Sequence, residues 1–208
     1  IYCLGMTLAI LTGGLDLSVG SVAAFSSYIG ATLIIEGYVV QGILVSLAIG
    51  AGIGAINGLL ISKVKLSSFI ATYGMDWLVR GLVLFILAGT KIFGFVPAFT
   101  SISKGAVVEF SSTMKISNPF VIAVVVFLVL LILMRKTTFG RNVYCVGLNA
   151  RATRITGVNT DRIIIIIYMI SGLLASIAGL LYAAVLDCAE PHMGTHYGLM
   201  AIAATLVG

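Results

Sequence analysis

The sequence predicts an all-α protein, a polytopic transmembrane bundle in which some helices are discontinuous. Three observations carry that expectation. The 208 residues are 60% hydrophobic and 9% charged, with a mean hydropathy of +1.18, whereas soluble domains carry about 25% charged residues. The apolar residues lie in long continuous runs. A membrane β-barrel would instead show alternating segments of about ten residues, and a helix satisfies its own backbone in lipid. Finally, residues 13–21 interrupt the first apolar region with three glycines and a carboxylate.

That interruption joins apolar runs at 1–11 and 22–35 and contains Gly13, Gly14, Asp16, Ser18, Gly20 and Ser21. Each glycine weakens a helix interior by roughly 1 kcal/mol relative to Ala. An Asp at membrane depth costs about 2.5–3.5 kcal/mol on insertion scales and marks a functional position. Irregular backbone at that depth requires protein around it or a water-filled cavity beside it. A broken helix next to a polar pathway is therefore expected, with a tight turn at the membrane surface as the alternative. No basic residue lies in or next to the stretch, which favours membrane depth. Asp16 either touches the solute or caps the broken helix, and capping is slightly preferred.

Residues 42–61 form a full-length span in which Gly50, Gly52, Gly54 and Gly58 offer a face for close helix packing. The span at 69–88 holds Asp76 and Arg80, which share a helical face at i, i+4 and can pair. Pairing is the cheapest way to keep either charge at depth, and both bracing and pathway lining fit it. Residues 91–119 are polar and are expected to hold a short helix around 99–110. Spans follow at 120–134 and 163–186, separated by the basic segment 135–162. A polar loop occupies 187–197, and the final run at 199–208 has ten residues. Ten residues cover about half of a ~30 Å hydrocarbon core. Because the chain begins and ends inside apolar runs, truncation at both ends is expected.

Orientation follows from the basic residues, which stay in cytoplasmic loops. With 135–162 in the cytoplasm, the loop of Lys63 and Lys65 falls there too, giving eight basic residues inside and three outside, with Arg80 buried. The opposite orientation reverses those numbers. The net charge of +5 is thus topological and predicts membrane lipid, not nucleic acid, as the surroundings.

No hydrolytic constellation and no Gly-rich phosphate loop is present, so the chain is expected to be no enzyme and to hydrolyse no nucleotide itself. Cys3, Cys145 and Cys188 imply no disulfide framework. Cys188, His192 and His196 recur every four residues near Asp187 and Glu190, but Pro191 and Gly194 disrupt a helix there. No metal site is expected. In the basic segment, Leu148, Ala152 and Ile155 fall on one helical face, Arg151 and Arg154 lie elsewhere, and Gly157 is placed as a helix stop. Such a helix suits docking on a soluble partner or lying on anionic lipid.

Four blocks in the same order resemble permease subunits of ribose-type sugar importers in the ABC transporter superfamily. Residues 12–21, TGGLDLSVGS, look like that family's signature. Residues 68–74, SFIATYG, with Arg80 and Gly81, are similar to its Pro-Phe-Ile-Ala-Thr-Leu-Gly and Arg-Gly segment. Residues 138–141, TFGR, with Val143, Tyr144, Gly147, Asn149, Ala152 and Gly157, resemble its cytoplasmic coupling loop. Residues 171–175 and 178–181 resemble the span after it. Departures are Ala150 and Arg151 where acidic residues are usual, Gly198 and Met200 where a Tyr-Glu-Leu-Asp segment is usual, and Asp76 at a commonly uncharged position.

The resemblance implies one permease domain over 1–208 in the bacterial inner membrane, built on an inverted repeat with a second Gly-rich break just beyond residue 208. It implies a second permease copy, an extracellular or periplasmic solute-binding protein, and cytoplasmic ABC ATPases that carry ATP–Mg, with no cofactor on this chain. The coupling loop 135–162 would meet the ATPase through Arg141, Asn149, Arg151, Ala152, Arg154 and Gly157. A monosaccharide or similar solute would pass by alternating access, with Asp16, Ser18, Ser21, Asp76 and Arg80 on the pathway. Permeases for branched-chain amino acids, nucleosides or autoinducers are the nearest alternative. An ion-coupled carrier using Asp16, Asp76 and Arg80 as a relay, or an intramembrane enzyme, is a more distant one.

Overall fold

The computed structural model describes residues 1–87, 89–109 and 115–207. Helix α1 (Tyr2–Leu11) ends at the glycine-rich interruption, and α2 (Val19–Ile35) resumes after it. Gly13 adopts φ +77°, a left-handed conformation that L side chains rarely adopt, and this turns the chain out of α1. Helix α3 (Val39–Ser62) and α4 (Ser68–Leu87) match the two expected spans, α3 longer by a few residues and α4 shifted by one. Among the described residues, four helices are long and apolar enough to cross a membrane: α3, α4, α6 (Asn118–Lys136) and α8 (Thr160–Leu186). Between α6 and α8 lies α7 (Thr138–Ile155), and α9 (Tyr197–Val207) ends the described chain.

The polar connection between α4 and α6 departs from expectation. Its helix, α5, covers Pro97–Lys104, with Pro97 at the first turn where its missing N–H costs nothing. Gly105 then leaves the helix in an extended conformation, and strand β2 (Ala106–Glu109) pairs antiparallel with β3 (Lys115–Ser117). The expected helix around 99–110 is thus displaced towards Pro97 and cut short by Gly105; Phe110 lies outside the described residues. A second antiparallel pair joins β1 (Ile92–Phe93) to β4 (Cys188–Ala189), with Phe93 opposite Cys188.

These contacts separate two ends of the bundle. At the basic end, Asp161 takes Lys63, Lys65 and Arg154 at 3.4, 3.2 and 2.6 Å. At the other end, the β1–β4 pair and the Lys91–Glu190 bridge, 2.6 Å, hold residues 91–93 against residues 188–190. The Glu190 hydrogen bond also raises the pKa of the Lys91 ammonium. Loops expected on one side of the membrane therefore lie at one end.

Helix α8 is the central element, packing most extensively on α3 and also on α1 and α2. In lipid there is no hydrophobic drive between helices, so close backbone approach carries the association. The α3 glycines supply it: a Cβ on Gly50, Gly54 or Gly58 would run into the backbone or side chains of α8 at Gly172, Tyr168 or Ile165. Apolar clusters fill both ends, one around Tyr28, Val79, Val83 and Phe99, the other around Leu8, Met134, Val143 and Ile167. Helix α6 is largely exposed, as a lipid-facing helix is.

Candidate functional site

The interruption after α1 is packed inside the bundle. Asp16 is 1% exposed and accepts three hydrogen bonds. Its Oδ1 receives the Ser18 amide at 3.1 Å and the Ser18 hydroxyl at 2.6 Å, and its Oδ2 receives the Ser171 hydroxyl of α8 at 2.6 Å. The Ser18 oxygen in turn accepts from Asn57 Nδ2 of α3 at 2.9 Å, and Ser21 Oγ donates to the Ser18 carbonyl at 3.0 Å. Backbone groups freed by the break are answered from α4 and α8. Ser68 Oγ accepts from Leu15 N, Thr72 Oγ1 accepts from Leu17 N, and the Tyr168 hydroxyl donates to Leu15 O, each at 3.2 Å. This meets the requirement that irregular backbone at depth be satisfied by protein. Ser18 is the N-cap residue of α2 but makes no side-chain cap bond; Asp16 acts one step earlier, fixing the turn that precedes the helix.

The start of α2 meets a second irregular segment. After α8, Asp187 takes a left-handed conformation, and the chain passes through β4 and a series of turns back to α2. Gly20 and Gly194 touch backbone to backbone: a Cβ on Gly20 would strike the Gly194 carbonyl, and one on Gly194 would lie 2.8 Å from Gly20 O. A Cβ on Gly198, at the start of α9, would lie 3.0 Å from Leu17 O. The connection between α8 and α9 is therefore packed against the first break and the start of α2.

Beside this junction an open groove of ≈ 680 Å³ runs along α4. Leu17, Asp76, Arg80, His192 and Thr195 line it, together with Phe69, Tyr73 and Trp77. Arg80 Nε donates to Asp76 Oδ2 at 3.0 Å, and Arg80 Nη1 donates to Thr195 Oγ1 at 3.3 Å. The arginine thus links α4 to the α8–α9 connection, whose Thr195 donates to its own His192 carbonyl at 2.6 Å. Asp76 Oδ1 has no hydrogen-bond partner among the described residues. Asp76 and Arg80 therefore face the groove, while Asp16, Ser18 and Ser21 lie behind its wall in the helix core.

Spacing within α4 explains the division. Ala71, Thr72, Met75, Val79 and Val83 are buried against the bundle. The stripe Phe69, Tyr73, Trp77 and the stripe Asp76, Arg80, Leu84 each advance four residues at a time, so they lie side by side on the groove face. The aromatic stripe went unread in the sequence, although its i, i+4, i+8 spacing was the available signal. Ser68, Asn57, Thr72, Tyr168 and Ser171 were also missed as partners of the break, because their contacts cross 39 to 155 residues of sequence.

At the basic end, α7 is two helices merged across a kink at Asn149, whose φ −161° and ψ 97° are non-helical. Asn149 Oδ1 accepts from Ala152 N at 2.9 Å and so caps a short second helix. Gly157, φ +86°, follows its end. Arg141, Arg151, Ala152 and Arg154 are exposed, as are Leu148 at 88% and Ile155 at 83%. Arg154 is drawn to Asp161, whereas Leu148, just before the kink, and Ile155, at the end of the short helix, leave two large apolar side chains exposed; the kink separates Leu148 from the face expected to join it to Ala152 and Ile155. Among the described residues, no three His, Cys, Asp or Glu side chains gather in metal-binding geometry; Cys188 is buried in β4.

Comparison with known proteins agrees with the architecture. A profile of the family described as branched-chain amino acid transport system, permease component, matches residues 1–208. The ribose import permease protein of Escherichia coli is 38% identical over 213 aligned residues, covering 100% of this chain and 64% of that protein. The ribose import permease protein of Bacillus subtilis is 39% identical, covering 98% of this chain and 62% of its own length. The galactofuranose transporter permease protein of Escherichia coli is 36% identical, covering 100% and 60%. The chain thus spans just under two thirds of the length of these relatives. No solved structure matches it. With an interrupted first helix, four described helices able to cross a membrane and a match along its whole length, the chain belongs to this family of transport-system permease components, as a multi-pass helical protein of the cell membrane.

Proposed function

We propose that the chain forms the transmembrane pore subunit of an ATP-binding-cassette importer that moves a monosaccharide or similar small polar solute into the cytoplasm. The observation that carries this reading is the similarity, along nearly all of this chain, to permeases whose names specify ribose, galactofuranose and fructose. The groove supports it: an uncharged solute needs dispersed polar contacts on apolar walls, and Asp76, Arg80, His192 and Thr195 among aromatic rings supply that mixture. A second permease copy completes the pathway, and a soluble binding protein delivers the solute from the outer side. No covalent step is catalysed here; ATP and Mg belong to partner ATPases. The capped helix after Asn149, with Leu148 and Ile155 exposed, is the docking element for those ATPases. Closing of the ATPases moves this helix, and the first break and the α8–α9 connection alternate the groove between the two sides of the membrane.

Uptake of radiolabelled D-ribose and D-fructose by vesicles containing the permease, the ATPase and the binding protein tests the reading. Uptake is expected to require ATP, and Arg151→Glu with Arg154→Glu is expected to abolish both ATPase co-purification and uptake. Uptake that follows an imposed proton or sodium gradient without ATP would refute it. The family description also names branched-chain amino acids, so leucine uptake in place of sugar would move the substrate class while leaving the transport mechanism intact.

A further inference from the structure

Three residues of the groove's apolar wall are aromatic and form a row. Phe69, Tyr73 and Trp77 occupy successive turns of α4, with ring centroids 5.7 Å apart and stacked for the first pair, and 6.2 Å apart and edge-on for the second. They are 52%, 47% and 60% exposed, and all three line the groove. Eight residues of helix set the row at about 12 Å long. The row starts near the basic end, where Ser68 holds the first break, and reaches the Asp76–Arg80 pair.

Resting on the proposed import of a sugar, we infer that Phe69, Tyr73 and Trp77 form a stacking track along which the apolar C–H face of a monosaccharide ring moves. The hydroxyl rim of the ring then turns towards Asp76, Arg80 and Thr195. Two features favour a solute over lipid as the occupant. A lipid-facing surface would not carry an ion pair in its wall, since charge at depth faces a bundle interior or a cavity. The groove is bounded on its other side by Pro191, His192 and Thr195, which the Arg80–Thr195 hydrogen bond ties to α4, so it is a cleft between two segments of the chain and not an open lipid face. Stacking is weak and repeats from ring to ring, which lets a sugar move between rings without a deep trap. Leu78, 56% exposed on the neighbouring face of α4, is apolar but lies outside the groove and serves as a control.

The test uses proteoliposomes holding the full-length permease with its ATPase, supplied with binding protein loaded with radiolabelled D-ribose or D-fructose. Trp77→Ala and Tyr73→Ala are each expected to lower uptake about tenfold, the scale of one lost aromatic contact. ATP hydrolysis stimulated by loaded binding protein should stay near the wild-type level, and Trp77→Phe should restore most of the uptake. Leu78→Ala should transport normally. Wild-type uptake by both alanine variants, or an equal loss in Leu78→Ala, overturns the track. Loss of ATP hydrolysis together with uptake marks these rings as packing residues and also overturns it. Failure of the wild-type protein to take up any monosaccharide overturns the import reading itself, a result distinct from any variant effect.

Discussion

Replacing Asp16 separates bracing from solute contact, because two substitutions change its hydrogen bonds differently. Asp16→Asn keeps an acceptor for the amide and hydroxyl of Ser18 and turns an NH2 towards Ser171, whose hydroxyl can accept as well as donate. Asp16→Ala removes all three bonds and strands the Ser18 amide, the Ser18 hydroxyl and the Ser171 hydroxyl in a buried site. Membrane-interior hydrogen bonds average about 0.6 kcal/mol and reach about 1.7, so three of them amount to roughly 2–5 kcal/mol. For a chain of this size each kcal/mol shifts Tm by about 2–4 °C. The expectation is a fall of roughly 4 °C or more for Asp16→Ala and a smaller fall for Asp16→Asn, measured by thermal unfolding in detergent. Because Asp16 lies behind the groove wall, the KM for solute should be unchanged in Asp16→Asn. A raised KM with an unchanged Tm would refute the bracing argument and place Asp16 on the pathway.

Two further outcomes follow from packing and charge. Gly54→Ala would push a methyl into the Tyr168 carbonyl and Met169 Cα of α8, and overpacking of this kind costs about 1–3 kcal/mol; Gly52→Ala, with nothing within 4 Å, should leave Tm unchanged, and equal effects at the two positions would contradict the α3–α8 contact. Asp161→Ala leaves Lys63, Lys65 and Arg154 facing one another, but these side chains are more than half exposed, so a loss of about 1 kcal/mol per pair or less is expected. That loss should shrink as salt is raised, and a salt-independent loss would show that Asp161 acts by packing instead.

Spans were legible in the sequence because in lipid the length of an apolar run and its content of charge determine whether a helix crosses. The runs at 42–61 and 163–186 became α3 and α8 with only their caps added. The basic segment was legible in part: Ala152 and Ile155 lie on its short helix and Gly157 follows the end, but the kink at Asn149 leaves Leu148 on the preceding helix, so the expected three-residue face is not continuous. Asn149 as the kink and cap was not legible, because an Asn can cap, turn or simply be solvated. The antiparallel pair β2–β3 after α5 was also hidden, since its register is set by pairing and not by the local pattern.

The first break shows where the division falls. Its glycines and carboxylate, read alone, required a broken helix surrounded by protein or beside a cavity, because lipid cannot satisfy that backbone. Only the folded chain decided between those surroundings. It placed Asp16 among Ser18, Ser171 and Asn57, and it turned Arg80 and the aromatic row of α4 towards the open side. It also brought Gly194 against Gly20 across 174 positions of chain. Composition and periodicity are local properties of the sequence. Which face of a helix meets a neighbour and which meets a groove depends on contacts between distant segments, and those exist only once α8 has packed on α3.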